Sequence, residues 1–148
     1  MSEKSLIEAA KAPVVAYGKK DWEGLRSVLP AEYRYEEVGT GRTMTGVEEV
    51  LAGFQAWKKA LPDSKATIDN AFAAENTVVL ELTWRGHQTG PLQTPDGEIP
   101  PSGRAVELRA CQVVEMEDGR PVVTRHYFDM QTLLQQIGVT GRTETLTH

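Results

Sequence analysis

The segment 104–117 alternates apolar and polar side chains, and this alternation constrains the fold more than any other feature of the sequence. One face carries Val106, Leu108, Ala110, Gln112, Val114 and Met116, and the other carries Glu107, Arg109 and Glu115. A sustained period of two predicts a β-strand with one buried face, which is typical of an antiparallel sheet. The apolar face of this strand therefore needs a second layer of structure to cover it.

Several other strands are predicted around this one. Asp118-Gly119 predicts a tight hairpin that leads into a return strand at 121–128. Residues 65–75 and 77–87 are rich in residues that favour strands, and residues 33–44 are typical of a strand followed by a turn. The sequence thus predicts a sheet built mainly from its second half.

Two helices are predicted in the first 30 residues. The first has one apolar face, and Pro13 is expected to kink or restart it, because proline disfavours helical geometry in the residue before it. Asp21 is a candidate N-cap for the second, shorter helix, which Pro30 ends.

A third helix and a last helix are also predicted. Thr45 and Glu48 match a capping box for the third helix, which has a continuous apolar stripe and ends at residues 61–64. Asp129 precedes the last helix, and Gly138 is its expected C-terminal stop.

Helices that precede a set of antiparallel strands indicate an α+β fold. The four prolines and three glycines of 88–103 predict a long loop. A curved sheet of about four to six strands, wrapped around the N-terminal helices, would bury both apolar faces and leave an internal pocket at its open end. We expect a single domain over residues 1–138 and a polar C-terminal tail over 139–148.

Charge and composition exclude several classes of function. The 148 residues include 16 Lys and Arg against 21 Asp and Glu, so the net charge of −5 disfavours nucleic-acid binding. Cys111 is the single cysteine, and the three histidines lack the spacing of metal ligands, so we expect no zinc site and no other metal. No apolar run is long enough to span a membrane, and the start of the chain lacks the pattern of a signal peptide, so a cytoplasmic protein without membrane contact is expected.

Six segments between Tyr17 and Val139 carry a family resemblance. They are AYGKKDWEGLRSVL, AWKKALPD, GHQTGPL, IPPSGRAVEL, EDGRPVVTRHYFD and LLQQIG. In this order and spacing the chain resembles the SnoaL-like polyketide cyclases, also called ester cyclases, of the nuclear-transport-factor-two-like superfamily. The resemblance implies a cone-shaped α+β barrel, with a curved and mostly antiparallel sheet around the N-terminal helices and an internal pocket. It also implies a homodimer formed through the outer face of the sheet, but no single activity, because this superfamily supports many reactions.

Asp129 is the first candidate for a catalytic residue. It follows strand 121–128 and resembles the acidic residue that serves as acid/base in the cyclases. An aldol ring closure needs a base that removes a proton from carbon and an acid that returns one to the new alkoxide, and a carboxylate in an apolar pocket suits both tasks. An aspartate directly before an apolar helix is equally typical of an N-cap, so both roles stay open.

Six residues are candidates for substrate binding. Gln112 is the one strongly polar residue on the apolar face of 104–117, where it either meets a ligand carbonyl or holds a backbone group. Tyr127 shares strand parity with Asp129 and either donates to a developing oxyanion or packs as an amphipathic ring. The other candidates are aromatic residues that either line the pocket or form ordinary core: Tyr17, Phe54, Trp57 and Trp84.

The segment 86–90 departs from the family pattern. The family segment usually contains Gly-Thr-His-Thr-Gly, whereas this chain has Gly-His-Gln-Thr-Gly. Aligned on the glycines, Gln88 occupies the position of the family's histidine, and His87 lies one residue earlier, on the opposite face of a strand. We expect His87 to be a solvated residue at a strand end.

The leading hypothesis is a cofactor-independent enzyme that binds a small, apolar carbonyl compound in the internal pocket. Its chemistry would be acid/base catalysis of the aldol-cyclisation type. One alternative is an epoxide hydrolase or isomerase-type activity in the same pocket; Arg125 shares strand parity with Asp129, but a second suitably placed aspartate is missing. Another alternative is a module for small-ligand binding or dimerisation, in which Asp129 is only a helix cap.

Overall fold

The structure is a computed structural model that describes residues 2–139. Its helices are α1 (Glu3–Gly18), α2 (Trp22–Val28), α3 (Val47–Ala60) and α4 (Met130–Gln136). Its strands are β1 (Arg34–Glu37), β2 (Arg42–Thr45), β3 (Lys65–Ala74), β4 (Thr77–His87), β5 (Leu92–Thr94), β6 (Gly97–Ile99), β7 (Ala105–Glu117) and β8 (Arg120–Phe128). Residues 140–148, most of the expected polar tail, lie outside the described part of the chain.

Six strands form one open sheet in the order β2-β1-β8-β7-β4-β3, while β5 and β6 form a separate hairpin. Neighbouring strands are antiparallel except β1 and β8, which are parallel. Register shifts between Ile68 and Asn70 in β3 and between Glu115 and Met116 in β7 interrupt the regular pairing, and such bulges bend a strand and increase its twist. The expected α+β fold with a curved, mostly antiparallel sheet is confirmed.

The strand with the alternating pattern is β7, and its apolar residues face inward as predicted. Val106, Leu108, Gln112, Val114 and Met116 are all buried. The hairpin after it is also confirmed: Asp118 has a φ of 51° and Gly119 a φ of 75°, and two successive positive φ values are typical of a tight hairpin turn.

The capping box predicted for α3 is wrong. Thr45 belongs to β2, where it pairs with Arg34, so its side chain is not available to the helix. Gly46, with φ 93°, is the N-cap and forms no side-chain hydrogen bond. Glu48 instead forms an ion pair with Arg26 of α2. Strand pairing thus fixes the entry to this helix.

Three other elements differ from the sequence-based expectation. Helix α1 continues through Pro13 without a restart, because a single proline removes only one hydrogen bond from the helix. Residues 33–44 contain two strands, β1 and β2, rather than one strand and a turn. The loop 88–103 contains the short β5–β6 hairpin.

Helices α1 and α3 cover the inner face of the sheet. The first packs Leu6, Ala10 and Val14 against Leu80 and Leu82 of β4. The third packs its apolar stripe against α2 and β1, and α4 closes a third apolar cluster beside β7. No helix within residues 2–139 is both long and apolar enough to cross a membrane.

Candidate functional site

A cavity lies between the inner face of the sheet and helices α1, α3 and α4. Its volume is about 100 Å³. One water needs about 10–15 Å³ of such space, so the cavity accommodates a small organic molecule. Five of the expected binding residues line it: Tyr17, Phe54, Trp57, Trp84 and Gln112.

Aromatic rings form a large part of the cavity wall, and several of them meet edge to face. The ring centroids of Tyr17 lie 5.6 Å from Phe54 and 5.4 Å from Trp84, at nearly perpendicular angles. Tyr35 meets Phe54 in the same way at 5.0 Å. Such contacts favour one arrangement of the rings, so the wall is held in a defined shape.

The sixth expected binding residue, Tyr127, does not line the cavity. Its side chain lies on the outer face of the sheet and is 42% exposed. Side chains alternate along a strand, and in β8 the inward positions are taken by Thr124 and His126, which are buried. Placing Tyr127 inside the pocket was wrong because the sequence of β8 does not reveal which parity faces inward.

Asp129 lies at the N-terminus of α4 and does not line the cavity either. Its Oδ1 accepts a hydrogen bond from the backbone N–H of Gln131 at 3.0 Å, and its Oδ2 accepts one from the hydroxyl of Thr132 at 2.7 Å. The Thr132 hydrogen bond lowers the pKa of this exposed carboxyl, with a smaller contribution from the Gln131 amide. Of the two roles left open by the sequence, these contacts support the helix cap.

The inner face of the sheet carries a row of three polar residues on adjacent strands. His126 on β8 is the register partner of Gln112 on β7 and of Glu37 on β1. All three side chains are buried and line the cavity. Because register partners in adjacent strands lie side by side, this row concentrates the polar groups in one part of an otherwise apolar wall.

His126 uses both ring nitrogens within the protein. The indole Nε1–H of Trp84 donates to Nε2 at 3.1 Å, and Nδ1 lies 2.5 Å from the hydroxyl oxygen of Tyr35. Burial lowers the pKa of His126 to about 3, so the imidazole is neutral at neutral pH.

Glu37 is the carboxylate of the row and is only 2% exposed. It accepts hydrogen bonds from Trp57 Nε1 at 2.9 Å, from Thr40 Oγ1 at 2.7 Å and from Arg42 at 3.2 Å. These donors come from α3, the turn after β1, and β2. They hold the carboxylate in one orientation at the cavity wall.

Gln112 differs from the other polar residues of the row. It is 6% exposed, and no hydrogen bond joins its side-chain amide to another residue in the range 2–139. Polar side-chain atoms that are fully shielded in this range all have partners, so the amide of Gln112 is open to the cavity. Its two donors and one acceptor are available to a ligand.

A second polar group lies at the α1 end of the cavity. The hydroxyls of Tyr17 and Ser64 are 2.9 Å apart. The ammonium of Lys58 lies 4.5 Å from the Tyr17 ring centroid and donates to the backbone carbonyl of Ser64. Burial raises the pKa of Tyr17 to about 12, so this phenol stays protonated.

The residues of the altered segment 86–90 lie outside the cavity lining. His87 is exposed and its Nδ1 lies 2.7 Å from a carboxylate oxygen of Asp63. Gln88 is fully buried, and its amide bonds the carbonyls of Gly90 and Pro100 and the N–H of Ser102. Gln88 therefore fixes the path of the 88–103 loop.

Sequence reasoning missed Glu37, Tyr35 and His126 as members of the site. A signal for the first two exists, since Tyr33, Tyr35 and Glu37 share one parity and the two tyrosines favour the inward face. His126 could be placed only after its pairing with Gln112 was known.

The molecule has the fold of the nuclear-transport-factor-two-like α+β proteins. A protein of that fold from Burkholderia pseudomallei, of unknown function, superposes with a TM-score of 0.72 at 20% identity, over 93% of this chain and 99% of the other. TsrD from Streptomyces laurentii superposes with a TM-score of 0.79 at 24% identity, over 94% and 98% of the two chains. A protein from Jannaschia sp. CCS1, named as a candidate SnoaL-like polyketide cyclase, gives 0.82 at 20% identity over 91% and 92%.

A family model described as "SnoaL-like polyketide cyclase" matches residues 8–137. The chain therefore belongs to the SnoaL-like polyketide cyclase family, as its sequence segments indicated. No curated protein sequence matches it significantly.

Proposed function

We propose that this protein is a cofactor-independent enzyme of the cyclase or isomerase type, which binds a small, largely apolar carbonyl compound in the cavity. The observation that carries the proposal is one buried carboxylate, Glu37, at an apolar cavity that also offers the open amide of Gln112. Apolar surroundings strengthen the interaction of such groups with charge that develops on a ligand. Membership of the cyclase family supports the same class of reaction.

The most specific version of this proposal is acid/base catalysis of the aldol-cyclisation type. The Glu37 carboxylate takes a proton from a carbon next to a carbonyl. The C–H electron pair then forms a C=C bond, and the π pair of the carbonyl moves onto its oxygen to give an enolate. The enolate carbon attacks a second carbonyl of the same molecule, whose π electrons become an alkoxide. Glu37, now a carboxylic acid, returns the proton to the alkoxide.

Glu37 is a better candidate for this base than Asp129. A general base must lie within reach of the proton it removes, and Glu37 lines the cavity whereas Asp129 caps α4 outside it. The hydrogen bond from Trp57 also ties Glu37 to the aromatic wall that would hold the ligand.

The first half of the reaction can be tested without knowing the natural substrate. A panel of apolar ketones and β-keto esters is incubated with the protein in D₂O, and exchange at the α-carbon is followed by proton NMR. We expect exchange above the buffer rate for compounds that bind, and a loss of about 100-fold or more in Glu37→Gln.

The matched control is Asp129→Asn, which also neutralises a carboxylate but keeps a good N-cap. It should exchange protons at the wild-type rate. Exchange that survives in Glu37→Gln, or disappears in Asp129→Asn, would contradict the assignment of the base.

Ligand binding without catalysis is the second candidate function. Both oxygens of Glu37 already accept hydrogen bonds within the protein, which favours a structural carboxylate. Ligands that bind in the cavity but never exchange a proton would support this alternative.

Epoxide hydrolysis has less support from the site. One similar structure is an LEH-like epoxide hydrolase from M. tuberculosis, with a TM-score of 0.70 at 19% identity over 99% and 98% of the two chains. Arg125, the arginine expected for such a site, lies outside the cavity lining and pairs with Glu115. No aspartate lines the cavity in the described range.

We also propose that the protein forms a homodimer through the outer face of the sheet. Phe72 on β3 and Tyr127 on β8 are 57% and 42% exposed there, and Val79 and Val113 continue the register row of Phe72 across β4 and β7. Light scattering should give twice the chain mass for the wild type and the chain mass for Phe72→Glu/Tyr127→Glu. Val15→Glu, which changes an exposed apolar residue on α1, should leave the mass unaltered. A monomeric wild type would contradict the proposal.

A further inference from the structure

The hydrogen bonds of His126 determine where the proton of Tyr35 points. Tryptophan Nε1–H can only donate, so Nε2 of His126 must be the acceptor and carry no hydrogen. A neutral imidazole has one N–H, which is therefore on Nδ1 and donates to the Tyr35 oxygen. The Tyr35 hydroxyl is an acceptor in this contact, and its own proton is directed elsewhere.

No other hydrogen bond of the Tyr35 hydroxyl occurs within residues 2–139, although its side chain is only 5% exposed and lines the cavity. Burial raises the pKa of Tyr35 well above its ordinary value, so the phenol keeps its proton. A neighbouring tyrosine shows the contrast, because the Tyr33 hydroxyl donates its proton to Thr124 at 2.6 Å. Tyr35 is thus a buried donor without an acceptor among the described residues.

Gln112 supplies a second open donor beside the first. It is the register partner of His126, whose Nδ1 touches Tyr35, so the amide and the hydroxyl are separated by a single imidazole. Both groups are on the cavity lining. Two hydrogen-bond donors without an acceptor, placed in an apolar cavity, can stabilise the negative charge that develops on a ligand oxygen.

We propose that Tyr35 and Gln112 together bind the ligand oxygen that becomes anionic, and that His126, held by Trp84, is the positioning residue that turns the Tyr35 proton toward it. The substrate class is then a ketone that reacts through its enolate. This inference rests on the proposed function, because the enolate is the intermediate of the proton transfer proposed for Glu37.

The positioning role can be measured in the free protein. Nitrogen NMR of the imidazole, assigned with His126→Gln, should show hydrogen on Nδ1 and none on Nε2 at neutral pH. Trp84→Phe removes the indole donor and keeps an aromatic ring, so the form with hydrogen on Nε2 should appear. A wild type with hydrogen on Nε2 would overturn the inference.

The donor pair can be tested with 4-nitrophenol, an apolar ring with one ionisable oxygen whose absorbance separates phenol from phenolate. We expect the wild type to bind the phenolate form preferentially. Tyr35→Phe and Gln112→Leu should each weaken phenolate binding by about tenfold or more, the usual effect of losing a hydrogen bond to a charged oxygen. Tyr33→Phe removes a similarly buried hydroxyl, whose proton is already donated to Thr124, and should weaken phenolate binding less.

These results separate the inference from the function it rests on. If Glu37 supports proton exchange but phenolate binding does not depend on Tyr35 and Gln112, the donor pair is wrong and the proposed reaction stands. If both donors bind phenolate but no ketone exchanges its α-proton, the catalytic proposal fails and the donor pair remains a ligand-binding site. Equal losses in Tyr33→Phe and Tyr35→Phe would also overturn the inference.

Discussion

Titratable side chains at the end of β8 and directly after it lie in opposite environments. On the inner face His126 is buried, neutral and bonded through both ring nitrogens. On the outer side Tyr127 and Asp129 are exposed, and the carboxylate is bonded to the first turn of α4. Tyr127 and Asp129, two residues that the sequence favoured for chemistry, are thus on the solvent side, while His126, which the sequence did not favour, organises the cavity. The reactivity of a side chain therefore indicates a functional role only when the face of the sheet on which it lies is known.

The largest difference between the two faces should be in stability. His126→Ala removes a buried ring and leaves the Trp84 indole and the Tyr35 hydroxyl without a partner, which should cost about 3 kcal/mol or more of unfolding free energy. Within a single subunit Tyr127→Ala should cost less than about 1 kcal/mol, since its ring is substantially exposed there. Urea unfolding measures both losses when the protein is dilute enough for the subunits to be monomeric. Equal losses would remove the distinction between the faces.

The inner face should also make stability depend on pH. The pKa of His126 is about 3 in the folded protein and about 6.5 in the unfolded chain, so the unfolded state binds more protons between these values. Stability from this residue is therefore present above about pH 6.5 and is lost as the pH falls toward about 3, by up to about 1.4 kcal/mol per pH unit.

His126→Gln lacks this titration and is the comparison variant. The difference in unfolding free energy between wild type and His126→Gln should narrow as the pH falls from about 6 to about 4. Both proteins keep the same carboxylates, so the acid titrations of the exposed groups cancel in the difference. A constant difference over this range would show that the folded imidazole titrates normally.

The fold was largely predictable because several elements keep a regular apolar pattern over many residues. The alternation in β7, the hairpin residues 118–119 and the amphipathic stripe of α3 each gave the correct element. Errors came where pairing overrides local signals. Thr45 matches a helix cap, but its pairing with Arg34 places it in β2.

The site was predictable only in part, for a related reason. Gln112 was found because a polar residue interrupts a regular apolar face. His126 lies in a strand without clean alternation, so its direction becomes apparent only from its pairing with Gln112. Glu37 is a charge near the end of a short strand, a usual place for a solvated residue, and its partners Arg42 and Trp57 come from two other elements.

Gln112 and His126 lie side by side on the inner face but should contribute differently to stability. Its amide has no partner in the described part of the chain, whereas His126 is fully bonded. Gln112→Leu should therefore leave stability unchanged or raise it by about 1 kcal/mol, because an unpaired buried amide is replaced by an apolar side chain of similar size. A residue whose loss stabilises the fold but weakens phenolate binding is retained for the ligand. A clear loss of stability in thermal unfolding would indicate a hydrogen bond within the protein instead.

The smallest effect is expected on the outer side, at Asp129. Asp129→Ala removes the acceptor for the Gln131 N–H and the Thr132 hydroxyl and should lower the melting temperature slightly, while Asp129→Asn keeps an effective cap and should not. Both variants lack a carboxylate, so an acid/base role would impair them equally. Melting curves and α-proton exchange rates measured on the same samples separate the two roles. If Asp129 is a helix cap, the two variants should differ from each other in melting temperature. If Asp129 is a catalytic acid, both variants should exchange α-protons more slowly than the wild type. We expect the first pattern, because the carboxylate points at the helix rather than at the cavity.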